Sequence, residues 1–118
     1  TGSLKTILVA ALAPVRHNLL SGTRSPKILR PLMDGLEKLF NGADIKIRAI
    51  AYQNFKLGDG KASFVHVVAK ILAGRIDEQK QRLSQEIIKK LSGLGHQDIS
   101  ITVEVVDMER QSYQKYLA

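Results

Sequence analysis

One segment limits what this chain can fold into more than any other. From Ala62 to Leu72 the residues read as a strand, yet both of its faces are largely apolar. One face carries Val65, Val67, Ala69 and Ile71; the other carries Phe64, His66, Val68, Lys70 and Leu72. Successive side chains on a strand point to opposite sides of the sheet. Such a strand belongs inside a sheet that is covered on both sides. Each large apolar side chain contributes roughly 1.5–3 kcal/mol when it leaves water, so wetting either set is costly.

The chain itself supplies one cover. Ser25-Pro26 is a hydroxyl cap followed by a proline whose missing N–H costs nothing in a first turn. Ile28, Leu29, Leu32, Met33, Leu36, Leu39 and Phe40 then follow the three-four spacing of one buried helical stripe. Pro31 lies within that stripe, so the helix starts near Arg30 or bends there. Asn41-Gly42 is expected to end it, with Gly42 in the left-handed conformation. A second helix follows the Gly74-Arg75 break, with Asp77 as its cap and a run to about Leu91. Its narrow apolar stripe of Leu83, Ile87, Ile88 and Leu91 marks a surface helix, closed by Gly93 and Gly95.

Three more strands complete the pattern. Leu4 to Ala10 is a short apolar run that suits a strand covered on both faces. The stretch from Pro14 to Arg24 reads as irregular. Asp44 to Gln53 alternates, with Ile45, Ile47, Ala49 and Ala51 on one face and Lys46, Arg48 and Ile50 on the other. Ile99, Ile101, Val103 and Val105 alternate with Ser100, Thr102 and Glu104 as a last strand, and Met108 to Leu117 is expected to be a helical tail. The order is β-α-β-β-α-β. Helical crossovers join parallel strands, and right-handed ones place both helices on one side of the sheet. The expectation is an α+β class with a four-stranded mixed sheet, both helices on one face, and a single domain over residues 1–118.

With both helices on one face, a lone copy leaves the second face of Ala62–Leu72 uncovered. A contiguous apolar patch of that kind usually marks a protein interface, and self-association is the simplest cover.

Composition narrows the chemistry. The 118 residues contain no cysteine, which removes disulfides, thiolate zinc sites and thiol nucleophiles and fits a reducing, cytoplasmic setting. The apolar run after Lys5 is too short to span a bilayer, and Pro14 opposes its cleavage as a leader. The formal net charge of +7 admits nucleic acid, an acidic membrane surface or a small anion as partner. No two glycines stand three apart, so no G-x-x-G loop exists to clamp nucleic-acid backbone. Six aromatic residues, three Tyr and three Phe, are few for a base-stacking platform. A small anion is therefore the expected partner, with no nucleic acid and no membrane. His17, His66 and His96 are not in metal-ligand spacing, and no metal is expected. His66, on its apolar strand, reads as a hydrogen-bonded packing residue.

The residues left for anion chemistry are cationic. Lys46 and Arg48 share one face of their strand, and Arg75 sits beside Gly74, where backbone can approach a ligand closely. Guanidinium groups bind carboxylates through two parallel hydrogen bonds, so such a set suits a small dicarboxylate. The competing reading is surface ion pairing with Asp44, Asp77 or Glu104.

Motif order adds a resemblance. Ala43-Asp44-Ile45-Lys46-Ile47-Arg48-Ala49-Ile50, then Gly58-Asp59-Gly60, Phe64-Val65-His66-Val67 and Ile71-Leu72-Ala73-Gly74-Arg75 resemble the 5-carboxymethyl-2-hydroxymuconate isomerases of the tautomerase superfamily. Val105-Val106-Asp107-Met108 with Ser112-Tyr113 is similar to the same family's C-terminus, and the resemblance covers roughly residues 30 to 117. It implies a tautomerase-like fold, a homotrimer, and a cofactor-free isomerase of aromatic catabolism acting on a small, unsaturated, carboxylate-bearing enol or ketone. It implies substrate binding by Arg75 in the matching A-G-R, with Arg48 and Lys46 covering the basic site of the second strand. The family's general base is an amino-terminal proline with a free secondary amine. Here the sequence opens Thr1-Gly2-Ser3, and the nitrogens of Pro14, Pro26 and Pro31 are amides without basicity. No catalytic base is assigned, and a binding protein that kept the fold but lost the reaction stays open beside the isomerase.

Overall fold

The structure, a computed structural model, describes residues 7–14, 29–52, 54 and 56–118. Its elements are β1 (Ile7–Pro14), α1 (Leu29–Leu36), a 3-10 turn (Gly42–Asp44), β2 (Ile45–Tyr52), β3 (Ser63–Leu72), α2 (Asp77–Ser92) and β4 (Ile99–Met108). The strands form one sheet in the order β2-β1-β3-β4. β1 runs parallel to β2 and β3 runs parallel to β4, while β1 and β3 meet antiparallel at the centre. Each β-α-β half supplies a parallel pair, as a helical crossover dictates.

Both helices pack on one side. Leu32, Leu36 and Phe40 from the α1 side, Leu83, Ile87 and Leu91 from α2, and Ile45, Val65, Val67, Ala69 and Ile71 from the sheet make one buried cluster. Gly35 of α1 packs against α2, where a Cβ would lie 2.8 Å from Lys90 Cγ. A larger residue there requires the Lys90 side chain to shift. Pro31 sits in the first turn of α1 as described, where a missing N–H breaks no intrahelical bond. The Ser25-Pro26 start lies outside the described residues.

Several boundaries differ from the sequence pattern. Pro14, read as opening an irregular stretch, ends β1 and faces Tyr52. α1 stops at Leu36: the Leu39 N–H bonds the Leu36 carbonyl three residues back, at 3.0 Å, in place of the regular four-residue bond, and the Phe40 N–H shares that carbonyl at 2.9 Å. Phe40 stays buried all the same. Gly42 has no positive φ; Asn41 caps the following 3-10 turn instead, its side chain accepting from the Ala43 N–H. Asp77 is the first residue of α2, not its cap. The cap position falls to Ile76, whose N–H donates to Gln79 Oε1 at 3.0 Å.

The largest correction concerns the tail. β4 extends to Met108, and only a single turn follows, with the Tyr113 N–H on the Glu109 carbonyl at 3.2 Å. Beyond it the chain is not helical. Arg110 Nε donates to the Ala73 carbonyl, and Lys115 lies 4.0 Å from Asp44. Side-chain bonds to β3's end and β2's start thus replace a helix with a strap across one end of the sheet.

Candidate functional site

The end of the sheet under that strap carries the turn that bears Arg75. In register, Ile7 of β1 lies between Ile45 of β2 and Ile71 of β3. The start of β1, the start of β2 and the end of β3 therefore share one edge of the molecule. The Ala73-Gly74-Arg75 turn leaves β3 at that edge. Gly74 adopts φ +121, a conformation that side chains with a Cβ rarely reach. A Cβ there would also lie 3.1 Å from Arg110 Nη2 and 3.2 Å from its Nε. Arg110 lies flat on the turn, and only glycine leaves it room.

Arg75 emerges from this turn on the helix side, its guanidinium 4.7 Å from the centroid of the Phe40 ring. A cation over an aromatic face is held by the ring's quadrupole, which fixes the side chain without using its hydrogen-bond donors. Arg75 lines a cavity of about 280 Å³ with Lys38, Leu39, Phe40, Gln79, Arg82 and Leu83. That size suits a small organic anion. A second groove, lined by Ile88, Ile101 and Val103 among others, lies between α2 and β4 and carries Lys89 as its one charged residue.

Lys46 and Arg48 lie elsewhere. Ile45 is buried in the core and Ile47 and Ala49 pack against it, so the alternate residues Lys46 and Arg48 project from the opposite, helix-free face, where both are exposed. Within one subunit the sheet separates this pair from Arg75. The ion-pair reading also fails for all three among the described residues. Asp44 pairs with Lys115, Glu104 pairs with His66 at 3.0 Å, and no carboxylate pairs with Lys46, Arg48 or Arg75.

His66 behaves as a packing residue with polar partners. Its Nδ1 lies 2.7 Å from Thr102 Oγ1 and its Nε2 lies 3.0 Å from Glu104 Oε2. Among the described residues no group of three or more His, Cys, Asp or Glu is placed to hold a metal ion. Nor is any helix there long and apolar enough to cross a membrane.

The pattern missed Lys38, Phe40 and Arg82 as site residues. Only Arg82 had a signal: Gln79 and Arg82, three apart at the start of α2 just after Arg75, share one side of the helix.

With this geometry in hand, comparison with known proteins decides the lineage. The family model for 5-carboxymethyl-2-hydroxymuconate isomerase matches residues 16–115. This chain belongs to that family. The match begins well before the motifs near residue 30 and takes in the site-bearing turn, α2 and β4. No curated protein sequence matches the chain significantly. Among solved structures, a 5-carboxymethyl-2-hydroxymuconate isomerase from Deinococcus radiodurans R1 superposes with a TM-score of 0.74 at 19% identity, covering 96% of this chain and 90% of that one. A 5-carboxymethyl-2-hydroxymuconate delta-isomerase gives 0.73 at 13% identity, with 98% and 90% covered. A symmetric trimer of wild-type fused 4-OT gives 0.67 at 22% identity, with 88% of each chain covered. At these identities the structures establish the shared tautomerase fold, and the family model establishes the family.

Proposed function

We propose that this chain is a cofactor-free isomerase that moves a proton within a small, unsaturated, carboxylate-bearing enol or ketone of the 5-carboxymethyl-2-hydroxymuconate type. It would act as a homotrimer in the cytoplasm, in the breakdown of aromatic compounds. The observation that carries the reading is Arg75. It sits in the turn that matches the family, is fixed over Phe40, has no carboxylate partner among the described residues, and faces a cavity of substrate size.

The reaction needs little from the protein. A dienol loses its hydroxyl proton, the conjugated double bonds shift, and a proton returns to carbon, so atoms balance without any redox partner. Negative charge spreads over the conjugated system in the transition state. A fixed cation at the substrate's carboxylate end stabilises that charge without having to reorganise. The β1/β3 register sets the start of β1 beside the end of β3, just ahead of Arg75. A base entering β1 from its amino-terminal side would therefore approach the Arg75 turn. Lys46 and Arg48, exposed on the helix-free face, would serve substrate across a subunit boundary in the trimer.

The test is ketonisation of 2-hydroxymuconate, followed by loss of dienol absorbance, with protein carrying its natural amino terminus. Arg75→Ala should lower kcat/KM by about 10²-fold, the range typical for losing one charge-stabilising group. Absence of any acceleration by the unmodified protein would overturn the isomerase. A binding protein of the same fold is the second reading, favoured because the residues assigned to substrate, Arg75, Arg48 and Lys46, are all cations and none is a free base. It predicts saturable binding of the substrate with no turnover in the same experiment.

A further inference from the structure

The cavity around Arg75 holds more positive charge than one carboxylate requires. Lys38, Arg75 and Arg82 all line it. Lys38 is partly matched, since its Nζ lies 3.8 Å from Glu86 Oε2, too far for a hydrogen bond. Arg75 and Arg82 have no carboxylate partner among the described residues. Gln79 completes the polar wall. Its Oε1 is tied to the Ile76 N–H, so the amide nitrogen is left as a donor.

These groups differ in how they are held. Arg75 rests on Phe40 and follows a turn clamped by Arg110. Arg82 projects from the second turn of α2, anchored through its neighbour Leu83, which is buried in the core. Two guanidinium groups lining one small cavity, with one donor amide between them in sequence, can each take a carboxylate in bidentate fashion. A monoanion would leave the second guanidinium unmatched.

We infer that Arg82 is a specificity-determining residue: with Arg75 it forms a two-guanidinium cavity on the helix side that selects conjugated dicarboxylates over monocarboxylates. This rests on the reading of Arg75 as a carboxylate-binding residue. It assigns the second carboxylate to Arg82 of the same subunit, with Lys38 in a lesser role, and leaves Lys46 and Arg48 on the other face of the sheet for other contacts.

Calorimetric titration of the full chain with cis,cis-muconate and with sorbate tests it, because the two share a diene and differ in carboxylate count. The wild-type protein should bind muconate at least about tenfold more tightly than sorbate, as expected for one added charged hydrogen-bond pair. Arg82→Gln should erase most of that ratio by weakening muconate while sorbate is unchanged. Arg82→Lys should restore part of it, and Lys61→Gln, a surface charge change far from the cavity, should leave it intact. An unchanged ratio in Arg82→Gln overturns the inference, as does a wild-type protein that binds neither compound. Since binding is measured without turnover, the two ideas separate. A chain that fails to ketonise dienols yet loses the ratio in Arg82→Gln keeps this cavity and sinks only the isomerase.

Discussion

On the helix side of β3, Val65, Val67, Ala69 and Ile71 are 1, 0, 0 and 0% exposed, sealed by α1 and α2 of the same chain. On the other side Phe64, His66 and Val68 remain half-buried and Lys70 is exposed. The same strand thus has one face finished by its own chain and one face unfinished. Leu72 is the exception on the second face. It is buried at 2% exposure, at the end of the sheet crossed by the strap from β4. The polar ties differ as well. Lys80 on α2 reaches Asp107 on β4 at 2.8 Å and joins two layers, whereas His66, Thr102 and Glu104 bond within one layer. The contrast separates what holds the subunit together from what is left for partners.

The sharpest way to break this comparison is a matched pair of substitutions on one strand. Ile71→Ala on the sealed face should cost about 2–5 kcal/mol, the usual range for emptying a packed aliphatic site, and should appear as a large drop in denaturation midpoint. Val68→Asp on the open face should leave far-UV circular dichroism near normal, while light scattering should show the proposed trimer falling to single subunits. If Val68→Asp unfolds the chain as completely as Ile71→Ala, the two faces do not differ in the way described.

A smaller effect is expected at the strap. Gly74→Ala forces a Cβ into a φ of +121 and against Arg110, and strained backbone of this kind costs about 1–3 kcal/mol. Arg110→Ala removes the clamp without adding strain, so Arg110 acts as a positioning residue for Arg75. Its loss should raise KM for the dienol severalfold with a lesser change in kcat and little loss of stability. A variant with unchanged KM would show that the Arg75 turn holds its shape without the strap.

Much of the fold was legible because it rests on periodicity. The alternation in Ser63–Leu72 and Ile45–Tyr52 and the three-four stripe in α2 name their own buried faces. Arg75 was named through its motif, and the structure places it on the wall of a cavity. What stayed hidden depends on tertiary closure. Lys38 reaches the cavity only because the chain after Leu36 turns back on itself, carrying Phe40 under Arg75. The tail's polar, helix-compatible composition gave no sign that Arg110 and Lys115 would find Ala73 and Asp44, because those contacts exist only once β2 and β3 have joined the sheet on either side of β1. Lys46 and Arg48 appeared to belong with Arg75 for a related reason. Strand parity gives each residue a face but not the side from which a distant turn emerges.

The finest test of the two-face contrast is electrostatic. Lys80 has its pKa raised above the ordinary 10.5, chiefly by its hydrogen bond to Asp107 and further by the charges of Asp107 and Asp77, with desolvation opposing. The charged form is therefore favoured by folding. The stability this tie contributes is fully present below 10.5 and is lost as pH rises through the raised value. Thermal melts of the wild-type protein and Lys80→Met between pH 8 and 12 should show a small difference in Tm that is constant at the lower end and closes at the upper end. Since other titrating groups are common to both proteins, their contributions cancel in the difference. A gap that persists at pH 12 would mean that Lys80 supports α2 through its aliphatic stem, and that the layer junction on the sealed face is held by packing alone.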